Sequence, residues 1–458
     1  MLLSLHDGVI VLDSPRSATI LLIAGSVPAA LHDAVQHVHD EMTQPRTTVW
    51  WTRDTISDPA DENVSHGAQY NDRYNVSSPD VVSLVDALKR VQNDLISGVR
   101  QSEPDELSST SLFPWRGVGP YGHGGTGMTG GTPYGRPMAE RAVDRDGLQL
   151  DQLPLRIGPY FNAFPAGLVL DIELQGDVVQ DVVVSGEPVS PLLPVFAGAI
   201  NDPISVAVLE CARAEDHLRW LAHALRVHGL AALSSRALQL SMQIGAGDSA
   251  IKGSRAELKA ITRDVERSGA LWWSTRGVGL LSRDAVADQG LGPIARASGV
   301  IDDARIDEPA YQALGFELIV NTAVNTASSD KDGGDASARW RQLLAEAAQS
   351  LDLAAKANGA RAWGHGVVEG PRGRVTAGEA PEPQLYAMLP DLLRGMEWGD
   401  AVTTIVSLNL GAGGDVRSVQ PWTAAEKAVQ SAEEAMEKGK NGSASDMSGM
   451  AGMAHMGH

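Results

Sequence analysis

The chain has 458 residues, 43% apolar and 21% charged, with a formal net charge of −20. That length predicts two or three domains with sizeable cores. The charge excludes nucleic acid and anionic lipid headgroups as partners, since both call for a basic surface, and no run of about 18 apolar residues offers a membrane span.

Cys211 is the one cysteine, so no disulfide framework is expected. The N-terminus carries Asp7 and no basic leader, which points to a cytoplasmic protein. In chain order, residues 8–13 (GVIVLD) predict a short strand and residues 18–24 (ATILLIA) a buried parallel strand. Residues 28–43 read as a helix with Leu31, Val35 and Val38 as its stripe, and Thr47–Trp51 as a second strand. Residues 80–96 predict an amphipathic helix, with Asp80 as N-cap and Val81, Leu84, Leu88, Val91 and Leu95 spaced by three and four. Strand alternating with helix implies a small α/β domain.

Residues 101–150 read as a linker. The stretch 117–138, GVGPYGHGGTGMTGGTPYGRPM, holds His123; it reads either as a ligand loop or as a wrapping connector. Residues 153–184 predict antiparallel strands hinged at Gly176-Asp177. Residues 203–240 and 336–357 are helical, the latter with Trp340, Leu343, Leu344, Ala347 and Leu351 on one face. Residues 385–396 add a helix, and 401–410 (AVTTIVSLNL) a buried run. Residues 421–439 predict an exposed helix with a Thr423–Glu426 capping box and a Glu434–Lys438 pair.

Between these elements lies residues 268–313, polar yet studded with apolar residues, with glycines at Gly277, Gly279, Gly290, Gly292 and Gly299. A loop of that length in a folded domain is usually functional. Its core, TRGVGLLSRDAVADQGLGPIARASGV (275–300), resembles the central segment of the 49-kDa-type subunit of respiratory complex I, whose family extends to the large subunit of NiFe hydrogenases. Two further segments resemble the same family: VVEGPRGRV (367–375) and 389–417, which looks like its C-terminal helix and strand. DSPRSATILLIAGSVPAALHDAVQHVHDEM (13–42) is similar to the cluster-bearing small (20-kDa type) subunit. The resemblance implies an α+β protein that fuses the two. An N-terminal α/β domain (a flavodoxin-like half, 1–106) and a glycine-rich linker (107–150) precede a large-subunit domain of hairpin and mainly helical core (151–417). A helix and tail follow (418–458).

The resemblance also sets what is missing. An iron–sulfur cluster takes about four cysteines, and the family's nickel–iron centre takes further cysteine pairs, so one cysteine implies no Fe–S and no NiFe cofactor. Where the family's hairpin holds a quinone-binding histidine, this chain has Tyr160, Phe161 and Asn162. GSVPAA after the first strand is not a dinucleotide fingerprint, so NAD binding by this chain is unsupported.

Glu210, Arg213 and His217 stand at i, i+3 and i+7 on one helical face. They read either as a polar relay or as a buried network holding helices together. Arg276, Arg296, Asp303, Arg305, Glu369 and Arg372 are candidate junction residues, with Arg276 and Arg296 expected to tie the large domain to its neighbour. The tail residues Met447, Met450, Met453, His455, Met456 and His458 are soft or borderline ligands suited to Cu(I); an inert tail is the alternative.

These readings lead to a cofactor-free peripheral subunit of a complex-I-like or hydrogenase-like assembly, docked at the inner face of the cell membrane on complex-I-like or antiporter-like subunits. The alternative is a subunit of an active NADH–quinone oxidoreductase or hydrogenase-type enzyme that uses clusters on partner chains. A copper-responsive regulator is a third.

Overall fold

The apolar run after Pro15 forms strand β1 (Ile20–Ala24), flanked by helix α1 (His32–Glu41), strand β2 (Thr47–Thr52), strand β3 (Tyr74–Ser77) and helix α2 (Val81–Ile96). This computed structural model of the chain describes residues 2–24, 27, 31–52, 74–77, 81–107, 141–143, 147–189, 193–244, 251–321, 333–376, 382–410 and 415–419. The glycine-rich stretch with His123, the Asp80 cap, the helix expected at 421–439 and the Met/His tail lie outside the described residues.

The three strands are parallel in the order β1-β2-β3. Helix α2 buries Leu84, Leu88 and Val91 against Val49 of β2, as its spacing predicts. Helix α1 buries Val35 and His39, and Leu31 just before it is buried as well, with Val38 turned partly outward. The strand expected at 8–13 does not form. Residues 9–12 have no regular structure and Ile10 is exposed, since no neighbouring strand takes up their backbone groups. Asp13 instead meets the following unit, pairing with Arg226 and accepting from Asn162 Nδ2 at 3.4 Å.

After α2, residues 97–107 return along β2. The Glu103 carboxylate accepts from Thr47 Oγ1 at 2.6 Å and from Thr48 N and Oγ1 at 2.9 Å each, and Arg46 reaches Asp105 at 2.5 Å. Burial opposes the charge on Glu103, but these donors and His39 prevail and pull its carboxyl down to about 2.

A five-stranded antiparallel sheet follows, from strands β4 (Arg141–Val143), β5 (Gln149–Ile157), β6 (Val169–Gln175) and β7 (Val178–Val189), closed by β14 (Asp415–Val419) beside β7. The β6–β7 hairpin turns at Gly176-Asp177, as expected. Its inner face, with Leu170, Ile172, Val179 and Val182, packs on a helical core. That core comprises α4 (Val206–Val227), α5 (Ala231–Ile244), α6 (Ile251–Ser268), α11 (Ala336–Lys356), α12 (Glu382–Leu393) and α13 (Trp398–Ser407). Trp220 of α4 meets Trp340 of α11 edge to face at 5.3 Å and donates to Val406 O at 2.8 Å.

The run 401–410 is buried, as expected, and is helical through Ser407: Ala401, Ile405 and Leu408 are buried and Ser407 Oγ donates back to Thr404 O. Helix α6 was not anticipated. Its core contacts Leu258, Ile261 and Val265 are few among many charged residues.

The long polar stretch 268–313 breaks into short pieces: α7 (Ala270–Trp273), β9 (Leu281–Ser282), α8 (Arg283–Val286), α9 (Pro293–Ala297) and α10 (Pro309–Ala313). The start of α11 anchors it. Asp335 accepts from Gly277 N at 2.7 Å, and buried Arg339 donates to Gly279 O at 2.7 Å. Its far end meets the hairpin of β12 (Val367–Gly370) and β13 (Gly373–Thr376). There Gly292 and Gly373 both have positive φ, and a Cβ on Gly373 would lie 2.2 Å from Gly290 O. Only glycine permits this approach, and it sets Glu369 over Arg296.

Candidate functional site: a buried arginine–carboxylate cluster

Helix α4 points Glu210, Arg213 and His217 inward, each at most 1% exposed. Helix α9 adds Arg296, the turn after it Asp303 and Arg305, α11 Glu346, and β12 Glu369; all are buried. Arg296 is the centre. It binds Glu346 through both a 2.8 Å Nε–Oε1 and a 2.8 Å Nη2–Oε2 bond, Glu369 at 2.8 Å and Asp303 at 3.0 Å, and donates to Asp302 O at 3.0 Å. Such a bidentate fork suits the planar guanidinium. Arg305 grips Asp303 at 3.0 and 2.7 Å and reaches Glu210 at 3.4 Å. Arg213 donates to Glu369 O and Gly370 O at 2.6 Å each and pairs with Glu210 at 3.3 Å. Tyr311 of α10 donates to Glu210 at 2.7 Å, and Gln342 to Glu346 at 2.8 Å.

Three guanidiniums face four carboxylates. Burial opposes charge on every acid, yet Arg213 and Arg305 keep Glu210 below its ordinary range. Arg296 does the same for Glu346, and Arg305 with Arg296 for Asp303. Glu369 is the exception: burial and neighbouring Asp303 push its carboxyl up, beyond what Arg296 offsets. Glu369 is thus the acid of the cluster whose charge is least compensated, although its two oxygens accept from Arg296 and from Ala304 N at 3.2 Å. His217 lies beside the cluster, and neither ring nitrogen has a hydrogen-bond partner among the described residues. Burial pushes it down to about 4, against the pull of Glu346 and Asp216.

The structure thus brings Glu210, Arg213, Arg296, Asp303, Arg305 and Glu369 into one network, with His217 at its side. It places the other two elsewhere. Arg276 is exposed on the turn after α7, and Arg372 pairs with Asp216 at 3.2 Å. Among the described residues, the side-chain bonding partners of Arg296 lie between Asp302 and Glu369, inside the large unit. Sequence reading missed Glu346, Gln342 and Tyr311. The signal available was Gln342 and Glu346 at i, i+4, within the apolar stripe of α11.

The donor chemistry does not fit an iron–sulfur or nickel–iron centre. Cys211 is half-buried on α4 without a second thiol. Among the described residues no group of three or more His, Cys, Asp or Glu is arranged to hold a metal ion; the converging carboxylates face guanidiniums. No helix among them is long and apolar enough to cross a membrane.

Residues 248–377 match the family described as respiratory-chain NADH dehydrogenase, 49 Kd subunit.

The match runs from α6 to the β12–β13 hairpin and holds Arg296, Asp303, Arg305, Glu346 and Glu369; Glu210, Arg213 and His217 lie outside it. It supports the large-subunit-like resemblance of this part of the chain. No curated protein matches the chain.

A cleft of about 340 Å³ opens beside the cluster, with Arg305, Tyr311 and Glu369 in its lining.

Proposed function

We propose that the chain is a cofactor-free, 49-kDa-like subunit of a complex-I-like or hydrogenase-like membrane assembly. It is held at the inner membrane face by partner subunits of complex-I-like or antiporter-like type. The observation that carries this reading is the buried cluster. The matched segment supplies most of it, and each of its carboxylates is met by arginine where a redox centre would need thiolates. In this reading the cluster is a fixed, charge-dense interior that stiffens the subunit. Glu369, whose carboxyl is raised above its ordinary range, is the group through which it is coupled electrostatically to its neighbours.

The second reading is a subunit of an active oxidoreductase that draws electrons from clusters on partner chains. Glu369 favours it, as a carboxyl able to hold and release a proton. Iron and nickel analysis with EPR on the protein purified from membranes with its partners separates the two. The first reading expects no iron or nickel bound to this chain, and Glu369→Gln that leaves assembly intact. A stoichiometric cluster signal from this chain overturns it. Quinone reduction by the complex that is lost in Glu369→Gln supports the second.

A further inference from the structure

We propose that the cleft beside the cluster binds an organic cation with a flat charged head, a guanidinium or amidinium on a short apolar stem. The cleft shares Arg305, Tyr311 and Glu369 with the buried cluster, but the inference uses other lining residues and does not rest on the function proposed above.

One wall is the turn before β12. Trp363 and His365 stack there at 4.0 Å with planes inclined by 36°. The turn is pinned by Gly364 N donating to Ala199 O at 3.0 Å and Gly366 N to Ile200 O at 3.1 Å. Trp363 is 42% exposed and lines the cleft. The turn into α10 contributes Asp307 and Glu308 to the same lining. The floor is apolar, from Leu209 and Val368.

Charge decides the ligand. Two arginines line the cleft, but Arg305 is bound to Asp303 and Glu210, and Arg374 to Asp302. Asp307 and Glu308 have no ion pair or side-chain hydrogen bond with any described residue; Glu308 stands at the N-cap of α10 without capping it. The unneutralised charge of the cleft is therefore negative, and an indole lines the same cleft. An anion would meet no free donor cation. A neutral ligand would gain nothing from the acids. A guanidinium can lie on the Trp363 ring, where the quadrupole attracts it, and direct its N–H groups to the carboxylates. Its stem would cover the apolar floor. The net charge of −20 also draws cations toward the surface. The head group can come from a free small molecule or from an arginine of a protein partner, and the chemistry is the same.

The test uses the purified full-length chain and calorimetric titration with three probes: agmatine, acetyl-Gly-Arg-Gly-amide, and the same peptide with citrulline, which keeps the shape and removes the charge. The expected result is saturable one-to-one binding of agmatine or the arginine peptide, with Kd below about 1 mM, and none of the citrulline peptide. Trp363→Ala should weaken binding about tenfold, and Trp363→Phe less. The double variant Asp307→Asn/Glu308→Gln should weaken it about tenfold as well. Tighter binding of agmatine identifies a free cation as the ligand, and tighter binding of the peptide a partner's side chain. The proposal fails if neither cation saturates below about 10 mM, if citrulline binds equally well, or if the variants leave affinity unchanged. Should Trp363→Ala not fold, the double variant, which alters no internal bond, decides the matter.

Discussion

His217 offers the sharpest test of the electrostatics around the cluster. Replacing it with leucine keeps most of the buried volume and removes the one titrating ring there. In the folded chain burial holds His217 down to about 4, against 6.5 for an unperturbed histidine. The unfolded chain therefore takes up a proton first as pH falls. Stability from the neutral ring is complete above pH 6.5 and is lost as pH falls through about 4. At 1.36 kcal/mol per pH unit the full loss is about 3 kcal/mol, and by pH 5 about 2 kcal/mol has gone. The leucine variant has no such loss. At neutral pH it should be as stable as the parent, or about 1 kcal/mol more so, because two unpartnered ring nitrogens leave the interior. Urea unfolding of both proteins at about pH 7 and pH 5 measures the difference, and effects of the other acids and histidines cancel between them. If the two proteins lose equal stability between those pH values, His217 is not held neutral and the reasoning is wrong.

Two further outcomes are expected. Arg296→Met leaves Glu346, Glu369 and Asp303 without their shared cation, and should cost about 3–5 kcal/mol in thermal or urea unfolding; adding Glu346→Gln should recover part of it, whereas a purely additive loss would contradict a shared network. Glu103→Gln should cost about 2 kcal/mol by weakening the charge-assisted bonds to Thr47 and Thr48. Because the folded carboxyl sits at about 2, its contribution is present above the ordinary carboxylate range and fades as pH falls through that value; proteolysis between residues 97 and 107 reports it, and an unchanged cleavage rate in the variant would refute it.

What could be read from the sequence follows from where periodicity is strong. Helix α2, the β6–β7 hairpin and α11 announce themselves because one face of each is consistently apolar. Residues 8–13 have an equally good strand pattern but no strand to pair with, and pairing is not written into a local segment. The 401–410 run is rich in β-branched residues, yet its buried positions recur every three or four, and packing against the large core prevails over propensity. Glu210, Arg213 and His217 could be grouped because one helix carries them. Glu346 could not, because an acid within the apolar stripe of α11 gives no hint that an arginine fifty residues earlier will meet it. Arg276 and Arg296 look alike in the sequence, each set among glycines; one lies at the surface and the other at the centre of the cluster, and only tertiary packing distinguishes them.

Helix α4 lies outside residues 248–377, yet it supplies Glu210 to Arg305 and receives both backbone carbonyls at the end of β12 through Arg213. A fragment cut at the limits of the family match would carry Arg305 stripped of one carboxylate and Tyr311 stripped of its acceptor. The segment that matches the family is thus smaller than the network it helps to build. Contacts reaching from residue 210 to residue 369 form only after the intervening chain has been ordered. Expression trials guided by family boundaries should accordingly yield insoluble material, whereas a piece running from the β5–β7 sheet through α13 keeps the network whole.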